Sequence, residues 1–220
     1  MIDVLAGCSV LAFLTWKTEV LSAKASIAAF IIGTTVWALN GPAWMLLLVS
    51  FLVVGYAGTK WRFDFKKELG AEESNDGMRS LKNILGNGTA PAFFAVIFSP
   101  VAFAGSISTA LSDTLASEVG VFSKRARLIT TWEKVEPGTD GAISPLGTLF
   151  SVLGAATIAV IAYYLLGVSP FITFLSGFTG CQIDSVLGAS LERRDYLTKS
   201  EVNLIATLSG GLVALLLVAL

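Results

Sequence analysis

The sequence predicts an all-α protein: a polytopic transmembrane helical bundle of about 7–8 membrane segments, including short or broken helices. Three observations lead there. Hydrophobic residues make up 54% of the 220 and charged residues only 14%, where soluble domains carry about 25% charged residues. The apolar residues fall into repeated runs that approach the roughly 20 residues needed to span a bilayer. All fifteen lysines and arginines fall in alternate connections between those runs.

The apolar runs lie at about 2–16, 23–39, 43–59, 89–99, 101–119, 146–166, 171–190 and 202–220. The first begins at the N-terminus with no basic residue before Lys17. That is the wrong order for a cleaved signal peptide, so it is expected to be a retained membrane segment. The fourth, TAPAFFAVIFS, covers about half the hydrocarbon thickness at ~1.5 Å per residue. It is either a half-helix or is extended by the residues before it.

Basic residues cluster at 17–24, 60–82, 124–134 and 193–199, whereas the turns around Asn40-Gly41-Pro42, Ser99-Pro100 and 167–170 carry none. With eight segments every basic residue lies on one side, which the positive-inside rule makes cytoplasmic. Merging 89–119 into one span would put the later basic loops outside. The expectation is therefore one integral membrane domain over residues 1–220 in a prokaryotic inner membrane, with both termini outside. Its cytoplasmic loops are about 60–88 and 120–145.

Composition also excludes functions. The net charge is −1 and histidine is absent. No global field suggests nucleic acid as a partner. Without histidine, Ser-His-Asp hydrolysis and histidine-ligated zinc chemistry lose their main group. Cys8 and Cys181 do not have metal-ligand spacing. A homo-oligomer is left open.

Three acids, Asp113, Glu118 and Asp184, sit within or at the ends of apolar runs that contain no basic residue to pair with them. An intramembrane charge costs roughly 2.5–3.5 kcal/mol on insertion scales. At helical spacing Ser106, Thr109, Asp113, Ser117 and Gly120 share one face, with Thr114 and Glu118 beside it. Gly177, Gly180 or Cys181, Asp184 and Gly188 form a second small-residue face. Two such faces allow close approach of helices or ligand, and their carboxylates suit Mg²⁺, which takes oxygen ligands and bridges carboxylates to substrate phosphates. The plainer reading makes these acids helix-packing or capping residues.

The stretch LITTWEKVEPGTDGAISPLG offers the hydroxyls of Thr130, Thr131, Thr139 and Ser144 and the flexible backbone of Gly138 and Gly141. Glycine permits turns in which successive N–H groups converge on an anion. Ser144-Pro145 marks a helix N-terminus, where anions are also favoured. An ordinary Gly/Pro turn with a serine cap fits the same residues. Upstream, Arg79 and Lys82 stand three apart, as on one helical face. With Asn83 and Asn87 they can meet phosphates, or they can anchor to lipid headgroups. Arg193, Arg194 and Lys199 read as topology determinants, and Asn203 as a packing polar residue.

Several of these pieces, RSLKNILGNG, ALSDTLASEVG, LITTWEKVEPGTDGAISPLGT, GCQIDSVLGASLE and the D…VN pattern around Asp195 and Val202-Asn203, resemble the membrane family of the phytyl-phosphate kinases and transmembrane protein 19. They occur in the family's order from about residue 60; the first sixty residues match in hydropathy alone. Leu115 stands where tryptophan is common, and Asp140 where a small polar residue is frequent.

The resemblance implies a CTP-dependent kinase that converts an isoprenyl monophosphate to its diphosphate. Asp113, Glu118 and Asp184 would then be catalytic and Mg²⁺-binding. Substrate- and nucleotide-binding roles would fall to Arg79, Lys82, Asn87, Ser117, Thr130, Thr131, Gly138, Thr139, Gly141, Ser144 and Ser185. A prenyl monophosphate is already a nucleophile, since phosphate monoesters have a second pKa of ~6, so no histidine base is required. Two alternatives stand beside this: a cytidylyltransferase that makes a CDP-lipid, and a transporter, which short Gly/Pro-interrupted segments with intramembrane acids also suit.

Overall fold

The computed structural model describes residues 1–68 and 77–220. Eight long helices account for the expected segments: α1 (Ile2–Lys17), α2 (Ala23–Asn40), α3 (Pro42–Lys60), α5 (Leu81–Val96), α6 (Pro100–Gly120), α7 (Pro145–Leu166), α8 (Pro170–Ser190) and α9 (Lys199–Ala219). A short helix, α4 (Phe63–Glu68), follows α3, and two short strands, β1 (Arg127–Leu128) and β2 (Ala142–Ile143), pair antiparallel.

Local chemistry sets the boundaries. Pro42, Pro100, Pro145 and Pro170 each occupy the first turn of a helix, where the missing N–H costs nothing. Ser80 and Asn83 form a reciprocal capping box at the start of α5. Gly167 ends α7 in the left-handed region at φ 67°, a conformation glycine adopts freely.

Of the two readings of segment four, the extended one holds, while the expected loop bounds need correction. The helix starts at Leu81, where the Ser80–Asn83 capping box begins it and carries it through Gly86 and Gly88 into the apolar run. At 16 residues it is about 24 Å long, still short of a ~30 Å hydrocarbon core. The expected loop at 60–88 therefore gives up 81–88 to α5 and 63–68 to α4, while its residues 69–76 lie outside the described residues. The 120–145 loop is partly ordered by the β1–β2 pair.

The separation of α5 from α6 is observed. The chain breaks at residues 97–99, where Phe98 turns left-handed at φ 55°. Contacts place the basic segments together at one end. Arg79 exchanges backbone hydrogen bonds with Val20 and Ser22. Ser200 Oγ donates to the Lys82 carbonyl (2.9 Å), Ser144 Oγ to the Gly120 carbonyl (3.4 Å), and Gly141 packs on Ala189. At the other end Asn40 Nδ2 donates to the Ala95 carbonyl (3.0 Å).

α6 is the axis of the bundle. It packs against α3, α5, α7, α8 and α9, and Ala102 to Leu115 are buried without interruption. Ser112 Oγ meets the Ser151 hydroxyl (2.8 Å) and carbonyl (2.9 Å) on α7. Glycines let α8 and α9 approach: a Cβ at Gly177 would collide with Ser108, and one at Gly180 or Gly210 with Thr109. This is membrane-type packing by small residues.

By length and composition α2, α3, α7 and α9 can each cross a membrane. α6 and α8, at 21 residues, are long enough but carry buried polar side chains instead of a uniformly apolar surface.

Candidate active site at the polar end of the bundle

The small-residue faces of α6 and α8 bring Asp113 and Asp184 together. Both are buried and line the same cavity, close enough for each carboxylate to act on the other. Counting along the helices, Asp113 sits about 10 Å and Asp184 about 9 Å inside the polar end, at ~1.5 Å per residue. Two carboxylates this close need a shared proton or a cation between them.

A cavity of about 100 Å³ opens beside the pair. α6 lines it with Asp113, Ser117 and Gly120, α7 with Thr148 and Ser151, α8 with Gln182, Asp184 and Ser185, and α9 with Lys199. The remaining wall is the loop Gly138–Ser144.

That loop has a defined shape. Gly138 and Gly141 have φ of 87° and 71°. Thr139 Oγ1 donates to the Glu136 carbonyl (2.7 Å), and the Ala142 N–H donates to the Thr139 carbonyl (3.0 Å). A Cβ at Gly141 would overlap the backbone of Ala189 on α8, so glycine is needed there for both conformation and space. Ser144 caps α7 by accepting from the Gly147 N–H (3.0 Å) and also lines the cavity. The capping alternative is thus observed for Ser144, in a position that still faces the site.

Asp113 also lines a second, smaller space of about 20 Å³, with Thr59, Arg79, Asn83, Asn87, Thr114, Glu118 and Asn203. Asn203, its amide turned so that both ends find partners, donates to Asp184 Oδ2 (3.3 Å) and accepts from Asn87 Nδ2 (3.1 Å). Arg79 is buried over the Phe51 ring at 5.3 Å. It passes so close to Gly55 that a Cβ there would lie 2.6 Å from Nη2.

Glu118 departs from the expectation of an unpaired acid. Lys66 of α4 reaches into the bundle, 1% exposed, and its Nζ lies 2.6 Å from Glu118 Oε2. Lys66 also donates to the carbonyls of Gly58 (3.0 Å) and Thr59 (2.9 Å). Among the described residues, no three acidic or cysteine side chains gather into a metal-binding group. The structure therefore brings together a pair of aspartates and sets Glu118 against a lysine, instead of a triad of free acids.

Three further expectations change. Lys82 is exposed and lines neither space. It does not share a helical face with Arg79, which precedes the Ser80 cap in an extended bridge to Leu21. Thr130 and Thr131 are exposed near the tip of a tight turn, closed by the Trp132 N–H to the Leu128 carbonyl (2.9 Å), outside the cavity wall. Asn87, Ser117, Gly138, Thr139, Gly141, Ser144 and Ser185 do line one space or the other.

The sequence left four contributors outside the site. Lys199 and Asn203 come from the first turns of α9, read as topology and packing residues. Lys66 read as one more basic loop residue, and Gln182, two before Asp184, drew no notice. The usable signal was spacing: Lys199 and Asn203 are four apart, hence on one helical face.

The chain matches the model of the integral membrane family DUF92 over residues 6–211. It belongs to that family. A membrane protein of Methanocaldococcus jannaschii, described as uncharacterized, is 37% identical over 225 residues, spanning 98% of this chain and 93% of that one. One of Synechocystis, described likewise, is 33% identical over 85% of this chain and 78% of its own length. The chloroplastic protein VTE6 of Arabidopsis thaliana is 31% identical over 90% of this chain and 65% of that protein. No solved structure matches significantly. DUF92 membership agrees with the resemblance to the phytyl-phosphate kinase and transmembrane protein 19 group read from the sequence.

Proposed function

We propose that this DUF92 protein is a CTP-dependent kinase that phosphorylates an isoprenyl monophosphate, of the phytyl or geranylgeranyl class, at the cytoplasmic membrane face. The observation that carries the reading is the position of Asp113, which lines both the loop-walled cavity and the space around Arg79. Asp113 can thus reach phosphates placed in either space, which suits a transfer whose catalysis is positioning and charge stabilisation. The sequence resemblance supplies the substrate class; membership of the family alone does not fix it.

In this reading the nucleotide's phosphates lie in the larger cavity, against the backbone of Gly138–Gly141 and beside Lys199. About 100 Å³ is room for phosphoryl groups and not for a whole nucleotide, so sugar and base extend past the loop. The acceptor's phosphate lies on the Arg79 and Asn87 side. An acceptor oxygen attacks the γ-phosphorus, the bond from that phosphorus to the β-phosphate oxygen breaks, and a nucleoside diphosphate leaves. No proton has to be removed from an alcohol, consistent with the lack of histidine.

The donor set fits Mg²⁺: two facing carboxylates, with carboxamide and hydroxyl oxygens near them, are hard ligands of the kind this ion shares with substrate phosphates. Asp113 and Asp184 would hold it, and bound there it would neutralise charge on the phosphates. Asn203 orients Asp184, and Lys66 fixes Glu118, which borders the acceptor side. Catalysis then rests on positioning and on charge placed in advance.

The test is incubation of purified protein with Mg²⁺, each nucleoside triphosphate and a panel of prenyl monophosphates, with products identified by mass. A prenyl diphosphate plus a nucleoside diphosphate supports the kinase. A CDP-lipid plus pyrophosphate establishes the cytidylyltransferase instead. No nucleotide consumption, with ion-driven uptake in proteoliposomes, establishes a transporter.

A further inference from the structure

An apolar groove of about 90 Å³ runs between α2, α3 and α5, lined by Ala29, Ile32, Met45, Leu48, Phe51 and Leu52 among others. Its walls belong to two helices able to span a membrane, and exposed side chains such as Ile27, Ile31 and Val53 flank them. At its inner end the lining changes to Asn83 and Asn87, which also line the polar space that holds Arg79 and Asp113. Phe51 belongs to the groove and carries the Arg79 guanidinium on its ring. Three spaces thus follow one another: apolar groove, polar junction, loop-walled cavity. Asn87 joins the first two and Asp113 the last two.

We propose that this groove takes the first isoprene unit of the acceptor lipid, with its phosphate at the Asn87–Arg79 junction and the rest of its chain in the bilayer. The proposal rests on the kinase reading for the identity of the lipid. It commits to that occupant because a groove that ends in buried positive charge and amide donors complements an amphiphile with an anionic head and an apolar body. Size sets how much of the body enters. A cavity of about 150 Å³ accommodates benzene; about 90 Å³ suits a five-carbon unit and excludes a whole C15 or C20 tail. The junction, at about 20 Å³, is the volume of roughly one water, so Asn87 and Arg79 shift to admit a phosphate.

This predicts an unusual selectivity. Acceptors that differ only in length, farnesyl and geranylgeranyl monophosphate, have kcat/KM values within about threefold. Hexadecyl monophosphate, which lacks the methyl branch of the first unit, falls at least about tenfold, the effect of one unfilled methyl in an apolar pocket. Ala29→Phe, which fills the groove from α2, raises the acceptor KM at least about tenfold and leaves the nucleotide KM unchanged. An unchanged acceptor KM in that variant overturns the proposal, as does strong length discrimination with no loss for the unbranched lipid.

A second measurement reads the site directly, on full-length protein in phosphatidylcholine nanodiscs. A prenyl monophosphate carrying a diazirine in its first isoprene unit should label residues of α2, α3 and α5. Labelling of α7, α8 or α9, or no competable labelling, overturns the groove. Because labelling needs no turnover, the two readings separate. Adducts in the groove without phosphoryl transfer sink the kinase and keep the lipid site; transfer with adducts elsewhere does the reverse.

Discussion

Lys66 Nζ lies 2.6 Å from Glu118 Oε2, with the two side chains 1% and 6% exposed, so a short helix after α3 inserts a cation beneath the end of the central helix. Two carbonyls of α3 accept from the same ammonium, which leaves little of its hydrogen-bonding capacity unmet. A buried pair of this kind adds little net stability over an apolar pair, but loss of one partner strands the other, at about 3–5 kcal/mol. Lys66→Ala or Glu118→Ala should each lower thermal stability in detergent by that order. Lys66→Met with Glu118→Leu should recover most of it. If the double variant is as unstable as the singles, the pair is not the structural unit described.

Asp113→Asn and Asp184→Asn should act differently. Each removes one of two facing like charges, so the variants should fold at least as well as the parent without divalent ions. Mg²⁺ should stabilise the parent against unfolding by about 2.7 kcal/mol at a hundredfold excess over Kd, seen as a raised midpoint, and should not shift either variant. Turnover in both should fall by three orders of magnitude or more. An equal Mg²⁺ shift in a variant would remove that residue from the ion site.

Lys199→Ala should weaken nucleotide binding at least about tenfold, while Thr130→Ala and Thr131→Ala should change it less than twofold, because only Lys199 lines the cavity. Titration calorimetry with a non-hydrolysable nucleotide separates these outcomes. An effect of the two threonines equal to that of Lys199 would move the nucleotide to the exposed turn.

Ser144→Ala removes the α7 cap, at about 1 kcal/mol, and should weaken nucleotide binding several-fold through the loop it anchors. Gly141→Ala should be worse: a Cβ there meets the α8 backbone at Ala189, and φ is 71°. We expect loss of soluble, folded protein in fluorescence size-exclusion chromatography for Gly141→Ala and normal yield for Ser144→Ala. A normal yield for both would show that the loop is not wedged against α8.

The bundle was legible because hydropathy, proline positions and the distribution of basic residues are all local signals. Each expected segment has its helix, and the Phe98 break that separates α5 from α6 follows from Ser99-Pro100. The start of α5 was less legible, because Ser80 and Asn83 cap it across a stretch that reads as charged loop. The aspartate pair could be seen from the small-residue spacing around Asp113 and Asp184. The Lys66–Glu118 pair could not: 52 residues separate the partners, and a lysine in a basic loop carries no mark of burial. The exposed place of Thr130 and Thr131 was illegible for a different reason, since hydroxyls next to a glycine-rich stretch look alike whether they face the cavity or the solvent.

The most direct measurement follows the phosphorus. Purified protein is given Mg²⁺, geranylgeranyl monophosphate and CTP labelled with ¹⁸O on its γ-phosphate, and the lipid products are weighed. The labelled group should become the terminal phosphate of geranylgeranyl diphosphate, with CDP released. Label recovered in pyrophosphate, or an unconverted lipid beside folded protein, would contradict it.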